Sequence, residues 1–321
     1  VATELEFYLL DGKAAEPKIG APLVPGTDRP QPGTQVYNPD DLFEVEGFLD
    51  DVYAWCEAQN VPAEAALSEY SAGQFEINLH HVADAVLACD HAVMLKRIIK
   101  AAARKHGFIA CFMAKPFEED AGSGLHIHMS IVDKNGNNYF SQGKEKMALP
   151  PFSARLRHAV GGLLKIMPES TLLGAPNANS YRRLRPDMFA PVEPNWGVNH
   201  RVVSIRIPES DENNLRLEHR TAGADANPYL VMASVVAGVH YGMKNRIDPG
   251  PMVEQGAEIV PKLKIPNRWE TAINKFRRSK VLPEYLGEDY CRAYALVRQA
   301  EADSYHNKIA QLDFDWYLRS V

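Results

Sequence analysis

The sequence has few cysteines, and no two of them have the spacing of a metal or redox motif. The four are Cys56, Cys89, Cys111 and Cys291, far apart in a chain of 321 residues. This spacing predicts neither a zinc site nor a disulfide framework, and it favours a reducing compartment, the cytoplasm. The formal net charge of −6 is not the basic excess that attracts nucleic acids or anionic membranes, so we expect neither as a partner.

The sequence also lacks an apolar run long enough to cross a bilayer. Its longest apolar stretch, residues 229–243, is interrupted by Ser234, Gly238 and His240 and predicts a buried helix. No signal peptide is recognisable. The first residues already have the pattern of a strand, with neither Met nor a leading loop, and we expect an N-terminal portion to precede them.

Two common nucleotide-binding motifs are absent as well. The chain contains no Walker A loop and no GxGxxG fingerprint. This argues against a P-loop kinase and against a Rossmann dehydrogenase.

What the chain does have is four short stretches in which apolar residues alternate with groups that bind metal or phosphate: residues 4–7, 125–130, 204–207 and 216–220. Residues two apart on a strand share a face. One side should therefore carry Glu4 with Glu6, His126 with His128 and Ser130, and Arg216 with Glu218 and Arg220. We interpret this pattern as a sheet whose concave face holds divalent cations and a polyphosphate, which predicts an enzyme.

Five carboxylates stand out in this pattern, and clustered carboxylates raise one another's pKa unless a cation relieves the repulsion. Mg²⁺ and Mn²⁺ prefer oxygen ligands, and His126 would add a nitrogen. Taken singly, each Glu is also compatible with a solvated strand face, and His126 and His128 with core histidines. The five are Glu4, Glu6, Glu69, Glu76 and Glu218.

A second group is basic, and arginine is well suited to bidentate recognition of phosphate and carboxylate. Arg182 and Arg185 are equally compatible with surface salt bridges. Arg206 and Arg220 alternate with apolar residues, which favours burial with a function. The group consists of Arg182, Arg183, Arg185, Arg201, Arg206, Arg216 and Arg220.

The length allows one large domain or two modest ones, and periodicity predicts both strands and helices. Strands are expected at 2–10, 108–113 and 125–132, with a turn and strand over 68–79. Helices are expected from the Asn38-Pro39 cap, around 87–102, and at 151–167, 228–243 and 288–310. Residues 253–280 are expected to be polar and irregular.

Longer motifs resemble the glutamine synthetase superfamily. They are Lys115-Pro116, the stretch from Gly122 to Ser130, Asn179-Ser180-Tyr181-Arg182-Arg183-Leu184, the stretch from Arg201 to Pro208, Ala224-Asp225-Ala226-Asn227-Pro228-Tyr229-Leu230 and the closing Asp313-Phe314-Asp315-Trp316-Tyr317-Leu318. The resemblance covers the whole catalytic domain of that family. It implies an α+β fold, with a curved antiparallel sheet flanked by helices, and a single catalytic domain over residues 1–321.

The resemblance also implies roles for individual residues, including sites for two or three Mg²⁺ or Mn²⁺ ions. One metal would be bound by Glu6, Glu69 and Glu76, and another by Glu4, His126 and Glu218. ATP would contact His128, Ser130 and Arg216. The transferring phosphoryl group would be stabilised by Arg201 and Arg206, and the amino-acid substrate would be bound by Arg183, Arg220 and the backbone of Gly122.

The chemistry implied by the resemblance is the joining of the γ-carboxylate of L-glutamate to an amine. ATP first phosphorylates the carboxylate, and the amine then displaces phosphate from γ-glutamyl phosphate. Metals and arginines would offset the crowding of negative charge. The resemblance further implies a homo-oligomer of stacked rings with active sites between subunits. It also implies a small N-terminal β-grasp domain, which nothing in this sequence matches.

Three departures from glutamine synthetases concern the amine and its regulation. Phe189 stands where those enzymes carry a flap glutamate that helps to bind ammonium, and an aromatic side chain there would line a wider channel for an organic amine. Ala121 stands at a position that is usually Asn. The adenylylated tyrosine loop is not recognisable in 253–280. The chain therefore resembles the γ-glutamylpolyamine synthetases that act on putrescine and related amines, with a glutamine synthetase that uses ammonia, or a non-catalytic relative, as the alternatives.

Overall fold

The computed structural model describes residues 1–24, 26–31, 33, 36–141, 153–186, 188–254 and 264–321. Its strands are β1 (Ala2–Asp11), β2 (Ala63–Ser68), β3 (Gln74–Leu79), β4 (Phe108–Cys111), β5 (Leu125–Met129), β6 (Trp196–Val198), β7 (Ile205–Ile207) and β8 (Leu217–His219). Its helices are α1 (Pro39–Phe43), α2 (Glu46–Ala58), α3 (Ala85–Lys105), α4 (Ala154–Gly174), α5 (Ser180–Arg183), α6 (Pro228–Asn245), α7 (Trp269–Arg277), α8 (Leu282–Leu286), α9 (Glu288–His306) and α10 (Gln311–Tyr317).

The strands form one open sheet in the order β2-β3-β1-β5-β8-β7-β6, with β4 paired to β1. Neighbouring strands are antiparallel, except that β6 and β7 run parallel. The α+β class and the sheet flanked by helices are confirmed. The parallel pair was not expected, because the alternation of residues within a strand carries no information about the direction of its neighbour.

The two faces of β1 have opposite chemistry. Leu5, Phe7 and Leu9 point into the main hydrophobic core, where the Phe7 ring packs 6.1 Å from Phe75 and 6.2 Å from Phe48 between ring centroids. Glu4, Glu6 and Tyr8 alternate with them along the strand. The sheet is thus apolar towards α2 and α3 and polar on its other face, and the polar face carries the candidate site.

Helices α4 and α6 pack against each other almost backbone to backbone. A Cβ built on Gly162 would lie 2.1 Å from the carbonyl oxygen of Gly238 and 2.5 Å from Cα of Gly242, so neither helix tolerates a side chain at this crossing. Helix α4 continues through Pro168 to Gly174, whereas the sequence predicted an end at residue 167. Beyond the proline, Glu169 accepts a hydrogen bond from Ser279, and the carbonyl of Leu172 accepts one from the Tyr294 hydroxyl.

Local signals predicted several element boundaries correctly. The side chains of Asn38 and Asn227 cap α1 and α6, each followed by Pro at the first helical position. Two predictions were wrong. The helix starting at Pro39 is interrupted between Phe43 and Glu46, and α7 lies in the segment expected to be irregular. Residues 255–263 of that segment are outside the described residues.

All four cysteines are buried and free. Among the described residues no helix is both long and apolar enough to cross a membrane.

Candidate active site

Charged side chains from five neighbouring strands form one row across the polar face of the sheet. Glu6 lies opposite Glu76 between β1 and β3, and Glu4 lies opposite His126 between β1 and β5. His128 lies opposite Glu218, which in turn lies opposite Arg206. Directly opposed residues point to the same face, so the alternation in the sequence is converted into a continuous polar row. We name these seven residues the charged row.

His126 lies at the centre of the carboxylates. Its Nδ1 atom is 3.0 Å from Oε2 of Glu4, 3.7 Å from Oε1 of Glu218 and 4.0 Å from Oε2 of Glu76. Its Nε2 atom is 3.9 Å from Oε1 of Glu6. Four carboxylates therefore converge on one buried imidazole, which a solvated strand face does not explain.

His128 connects the row to Arg216. Nε of Arg216 donates to Nδ1 of His128 at 3.3 Å, and Nε2 of His128 lies 2.7 Å from Oε1 of Glu4. A nitrogen that accepts from a guanidinium carries no proton, so Nε2 of His128 is the donor to Glu4. Ser130, the third residue expected on this face, follows the end of β5 and is exposed.

Glu69 comes from the turn between β2 and β3, and this turn is fixed at both ends. The backbone N–H of Glu69 donates to the carbonyl of Gln74 at 2.8 Å, and Gly73 has the positive φ of 70° that closes the bend. Burial raises the pKa of Glu69 to about 8, and the negative charge of Glu6 adds to the shift. The turn thus directs Glu69 towards the carboxylates of β1.

The other carboxylates differ in their protonation. Burial raises the pKa of Glu76 well above its ordinary value, and the charges of Glu4 and Glu6 raise it further. For Glu4, burial also acts to raise the pKa, but hydrogen bonds from His126 and His128 outweigh it and the pKa falls well below the ordinary value. Among the described residues, no positive charge therefore fully offsets the carboxylates around Glu76, whereas His126 and His128 stabilise the charge of Glu4.

Glu218 is fully buried between two arginines. Oε2 lies 2.5 Å from Nε of Arg206, and Oε1 accepts a hydrogen bond from Arg220. Burial acts to raise the pKa of Glu218, and the charge of Arg220 outweighs this effect and lowers it. Although Arg206 is close, Oε2 has no aligned hydrogen-bond donor. The two guanidiniums therefore compensate the charge of this buried carboxylate.

Two groups in the charged row have the donor set of a divalent metal site. One consists of Glu4, His128 and Glu218, and the other of Glu4, Glu76 and His126; in each, the ligand atoms lie within 4.8 Å of one another. The pKa of Glu76, raised by burial and by the charges of Glu4 and Glu6, fits a missing positive charge. These residues therefore fit Mg²⁺ or Mn²⁺. The grouping differs from the expected one, since both groups share Glu4 and one of them includes His128.

The loop that precedes β5 packs tightly against Arg183. A Cβ on Gly122 would lie 2.6 Å from the carbonyl oxygen of Ala114 and 2.8 Å from Cγ of Arg183. The buried guanidinium of Arg183 donates through Nη1 to the carbonyl of Thr221 at 3.0 Å. The backbone N–H of Gly124 donates to Oε2 of Glu6 at 2.5 Å. The residues expected to bind the amino-acid substrate therefore border the charged row directly.

Arg201 and Arg206 differ in their exposure to solvent. Arg206 belongs to β7 and is half-buried beside Glu218, whereas Arg201 lies in the exposed loop before β7. The guanidinium of Arg201 lies 5.3 Å from the ring centroid of Tyr37, and its Nη1 donates to the Tyr37 hydroxyl. Arg201 is near enough to Glu69 to oppose the rise of its pKa. Arg206 is thus part of the charged row, and Arg201 lies near the carboxylates beside it.

Three residues near the site were not found by sequence reasoning. The Tyr70 ring lies 4.4 Å from the ring of Phe189 between centroids, and its position directly after Glu69 was the available signal. Tyr37 contacts Arg201, and no local pattern indicates this contact. The Lys96 ammonium donates to the backbone carbonyls of residues 224 and 226, in the segment just before α6. A lysine on an amphipathic helix is usually solvated, so this role was not predictable.

Comparisons with known proteins agree with this geometry. The model of the family "Glutamine synthetase, catalytic domain" matches residues 1–317. The chain is 41% identical to the gamma-glutamylputrescine synthetase PuuA of Escherichia coli (strain K12), covering 100% of this chain and 67% of that protein. It is 30% identical to the glutamate–isopropylamine ligase of Pseudomonas sp, covering 99% and 68%.

A solved structure of GmaS without ligand superposes with a TM-score of 0.83 at 26% identity, covering 99% of this chain and 72% of that one. The expected resemblance is thereby confirmed on both sequence and structure. The chain belongs to the glutamine synthetase family, and the charged row lies in the catalytic domain that defines that family.

Proposed function

We propose that this protein is an ATP-dependent ligase that joins the γ-carboxylate of L-glutamate to an organic amine such as putrescine. The observation that carries the proposal is the charged row, in which carboxylates, imidazoles and Arg206 from five strands face one space. Relatives named as a gamma-glutamylputrescine synthetase and a glutamate–isopropylamine ligase support an organic amine.

A carboxylate resists attack by an amine, so the γ-carboxylate first becomes γ-glutamyl phosphate, and the amine nitrogen then displaces phosphate to form the amide. Arg183, Arg220 and the backbone of Gly122 would bind glutamate beside the row. His128, Ser130 and Arg216 would contact ATP. Arg201 and Arg206 would face the transferring phosphoryl group, where fixed guanidiniums stabilise developing charge without reorganisation.

Mg²⁺ or Mn²⁺ would be held by Glu4, Glu6, Glu69, Glu76, His126 and Glu218, and bound there would neutralise phosphate charge. The protein's own contribution is to keep these carboxylates fixed before substrate arrives. The register of β3, β1, β5 and β8 does this, because strands hold side chains more rigidly than loops do. A cytoplasmic location and a ring-shaped homo-oligomer with shared active sites stay predictions, as does the N-terminal β-grasp domain.

Phosphate release tests the proposal, using protein expressed from its complete coding sequence with ATP, Mg²⁺ and glutamate. Ammonia, putrescine, spermidine, ethanolamine and simple monoamines are compared. We expect strong release with an organic amine and weak release with ammonia. Release mainly with ammonia would make the protein a glutamine synthetase, and no release with any amine would make it a non-catalytic relative.

A matched pair of variants connects the activity to the charged row. Glu218→Gln keeps the shape of a fully buried side chain but removes its charge, and we expect it to abolish phosphate release. Glu212→Gln makes the same chemical change at an exposed position before β8 and should retain activity. Equal activity in both variants would refute the role of the row.

A further inference from the structure

Two motifs of the sequence have no role in the proposed reaction, and they meet at Asp225. One is the stretch from Ala224 to Leu230, and the other is the start of the stretch from Asn179 to Leu184. Oδ2 of Asp225 accepts a hydrogen bond from the Ser180 hydroxyl at 2.7 Å and another from Nδ2 of Asn177 at 2.8 Å. The loop before α6 is therefore tied to the start of α5 through one carboxylate oxygen.

Asn177 and Ser180 hold the turn that opens α5. Oδ1 of Asn177 accepts from the backbone N–H groups of Asn179 at 2.9 Å and Ser180 at 3.3 Å. The Ser180 hydroxyl accepts from the backbone N–H of Asn177 at 3.2 Å while it donates to Asp225. Asn and Ser side chains stabilise turns by bonding to nearby backbone in this way. The carboxylate of Asp225 therefore fixes a complete turn and not only two side chains.

Asn179 provides a second anchor for α5. Its Oδ1 accepts from the backbone N–H of Lys115 at 2.9 Å, and its Nδ2 donates to the carbonyl of the same residue at 2.8 Å. Lys115 precedes the loop that contains Gly122. We use the name α5 clamp for five residues and the hydrogen bonds between them: Lys115, Asn177, Asn179, Ser180 and Asp225.

The clamp is itself attached to the main hydrophobic core. The Lys96 ammonium donates to the backbone carbonyls of residues 224 and 226, one on each side of Asp225. Lys96 belongs to α3, whose Leu95 and Ile99 are fully buried in that core. The backbone of Asp225 is thus held in place independently of any substrate.

Arg183, the last residue of α5, has little freedom at its charged end. Its guanidinium is buried and donates through Nη1 to the carbonyl of Thr221 at 3.0 Å. A Cβ on Gly124 would lie 2.8 Å from Nη2, so the surrounding backbone fits the guanidinium closely. Ser180 and Arg183 are three residues apart, about one helical turn. A shift of the clamp would therefore be transmitted to the backbone of Arg183.

We propose that Asp225 is a positioning residue for the amino-acid substrate, because through the α5 clamp it holds the Arg183 guanidinium where glutamate would bind. This inference rests on the proposed function. A guanidinium that is already in place binds a carboxylate without losing further conformational freedom. Asp225→Ala should raise KM for glutamate by roughly ten- to hundredfold, the cost of a displacement of about 1 Å at a binding group. KM for ATP should stay within about twofold, since none of the clamp residues is expected to contact ATP.

Steady-state kinetics with varied glutamate test this, using protein expressed from its complete coding sequence with Mg²⁺, saturating ATP and the amine that gives the strongest phosphate release. Loss of folded protein lowers the apparent kcat and leaves KM unchanged, so a rise of KM for glutamate separates positioning from a general loss of stability. Asp225→Asn can still accept both hydrogen bonds through Oδ1 and should keep KM within about threefold of the wild type. If Asp225→Asn has the KM of Asp225→Ala, the role of the hydrogen bonds is overturned.

Ser180→Ala removes one of the two hydrogen bonds and should raise KM for glutamate roughly threefold, as expected for one typical hydrogen bond. Added to Asp225→Ala it should have little further effect, because its partner is already absent, and additive effects would contradict the shared contact. If Asp225→Ala does not fold, Ser180→Ala makes the same comparison, and an unchanged KM for glutamate in that variant refutes the clamp.

Ser279→Ala is the matched control for Ser180→Ala. The Ser279 hydroxyl also donates to a carboxylate, Oε2 of Glu169 at 2.6 Å, and accepts from a backbone N–H three residues away, that of Leu282 at 3.0 Å. Both serines are buried, but Ser279 lies before α8, and its replacement should leave KM for glutamate unchanged. An equal rise of KM in both serine variants would refute a specific role of the clamp.

The result for the wild type separates this inference from the proposed function. If the wild type is active and Asp225→Ala keeps the wild-type KM for glutamate, the inference is refuted and the proposed function stands. If the wild type releases phosphate with no amine, the proposed function itself fails and the inference fails with it.

Discussion

Replacing Glu76 by Gln should leave the metal-free protein about as stable as before and remove most of the stabilisation that a divalent cation gives. Burial and the charges of Glu4 and Glu6 raise the pKa of Glu76, so its metal-free form is shifted towards the neutral carboxyl that Gln imitates. With a cation, the wild type loses that proton and gains a charged ligand, whereas Gln cannot.

The size of the effect follows from linkage. A cation at 100 times its Kd stabilises the folded wild type by about 2.7 kcal/mol. Loss of a charged ligand should weaken binding by at least the roughly 10–100-fold typical of supporting residues. At 100-fold weaker binding the same cation concentration gives only about 0.4 kcal/mol. At roughly 2 °C per kcal/mol for a chain of this size, the rise in Tm should fall from about 5 °C to about 1 °C.

Thermal unfolding with EDTA gives the Tm of the metal-free protein, and thermal unfolding with MnCl₂ gives the rise in Tm that the cation causes. Glu64→Gln is the control, because Glu64 lies on the neighbouring strand β2 but its side chain is 61% exposed and faces His80. It should respond to Mn²⁺ as the wild type does. An unchanged Mn²⁺ response in Glu76→Gln would show that Glu76 is not a ligand. A large drop of Tm in EDTA would show that the metal-free fold needs the Glu76 carboxylate.

Three further predictions concern pH, a buried lysine and the substrate loop. Because the pKa of Glu69 is raised to about 8, protons compete with the cation for this carboxylate below that pH. Calorimetric titration should therefore show the affinity for Mn²⁺ rising by up to about tenfold per pH unit towards pH 8 and levelling off above it. Burial lowers the pKa of Lys96 to about 8, so between pH 8 and about 10.5 the unfolded chain holds a proton that the folded protein has released. Relative to Lys96→Met, the wild type should therefore gain up to about 3 kcal/mol of unfolding free energy as the pH rises across that window. Denaturant titrations measure this, and a parallel pH dependence of the two proteins would refute the assignment. Gly122→Ala places a methyl group 2.6 Å from the Ala114 carbonyl and 2.8 Å from Arg183, so steady-state kinetics should show KM for glutamate rising about tenfold or more. In the control Gly47→Ala, the methyl group has its nearest contact with a His106 side-chain atom at 3.3 Å, and KM for glutamate should not change.

The sequence allowed the shared face of the candidate residues on each strand to be predicted, because strand alternation is a local property. His126, His128 and Glu218 share a face for the reason that their spacing indicated. The α+β class and the caps at Asn38 and Asn227 were also predictable, since each depends on a few neighbouring residues.

What could not be predicted depends on contacts between distant segments. The order of the strands decides which ligands meet, and it makes Glu4 common to both groups of potential metal ligands. The part of α4 beyond Pro168 contacts Ser279 and Tyr294, in hydrogen bonds that span 110 and 122 residues. The packing of Phe189 on Tyr70 depends on two loops whose approach no periodicity records.

The charged row also has a consequence for the order of events during synthesis. Strand β1 leaves the ribosome before the other strands of this sheet, yet its neighbour β5 begins at residue 125 and Glu218 follows only in β8. No cation can be held by the whole row until the chain has been made through residue 219 and the sheet has closed around β1. Divalent ions therefore arrive after the fold exists. We expect them to slow the unfolding of the finished protein and to leave its folding rate unchanged.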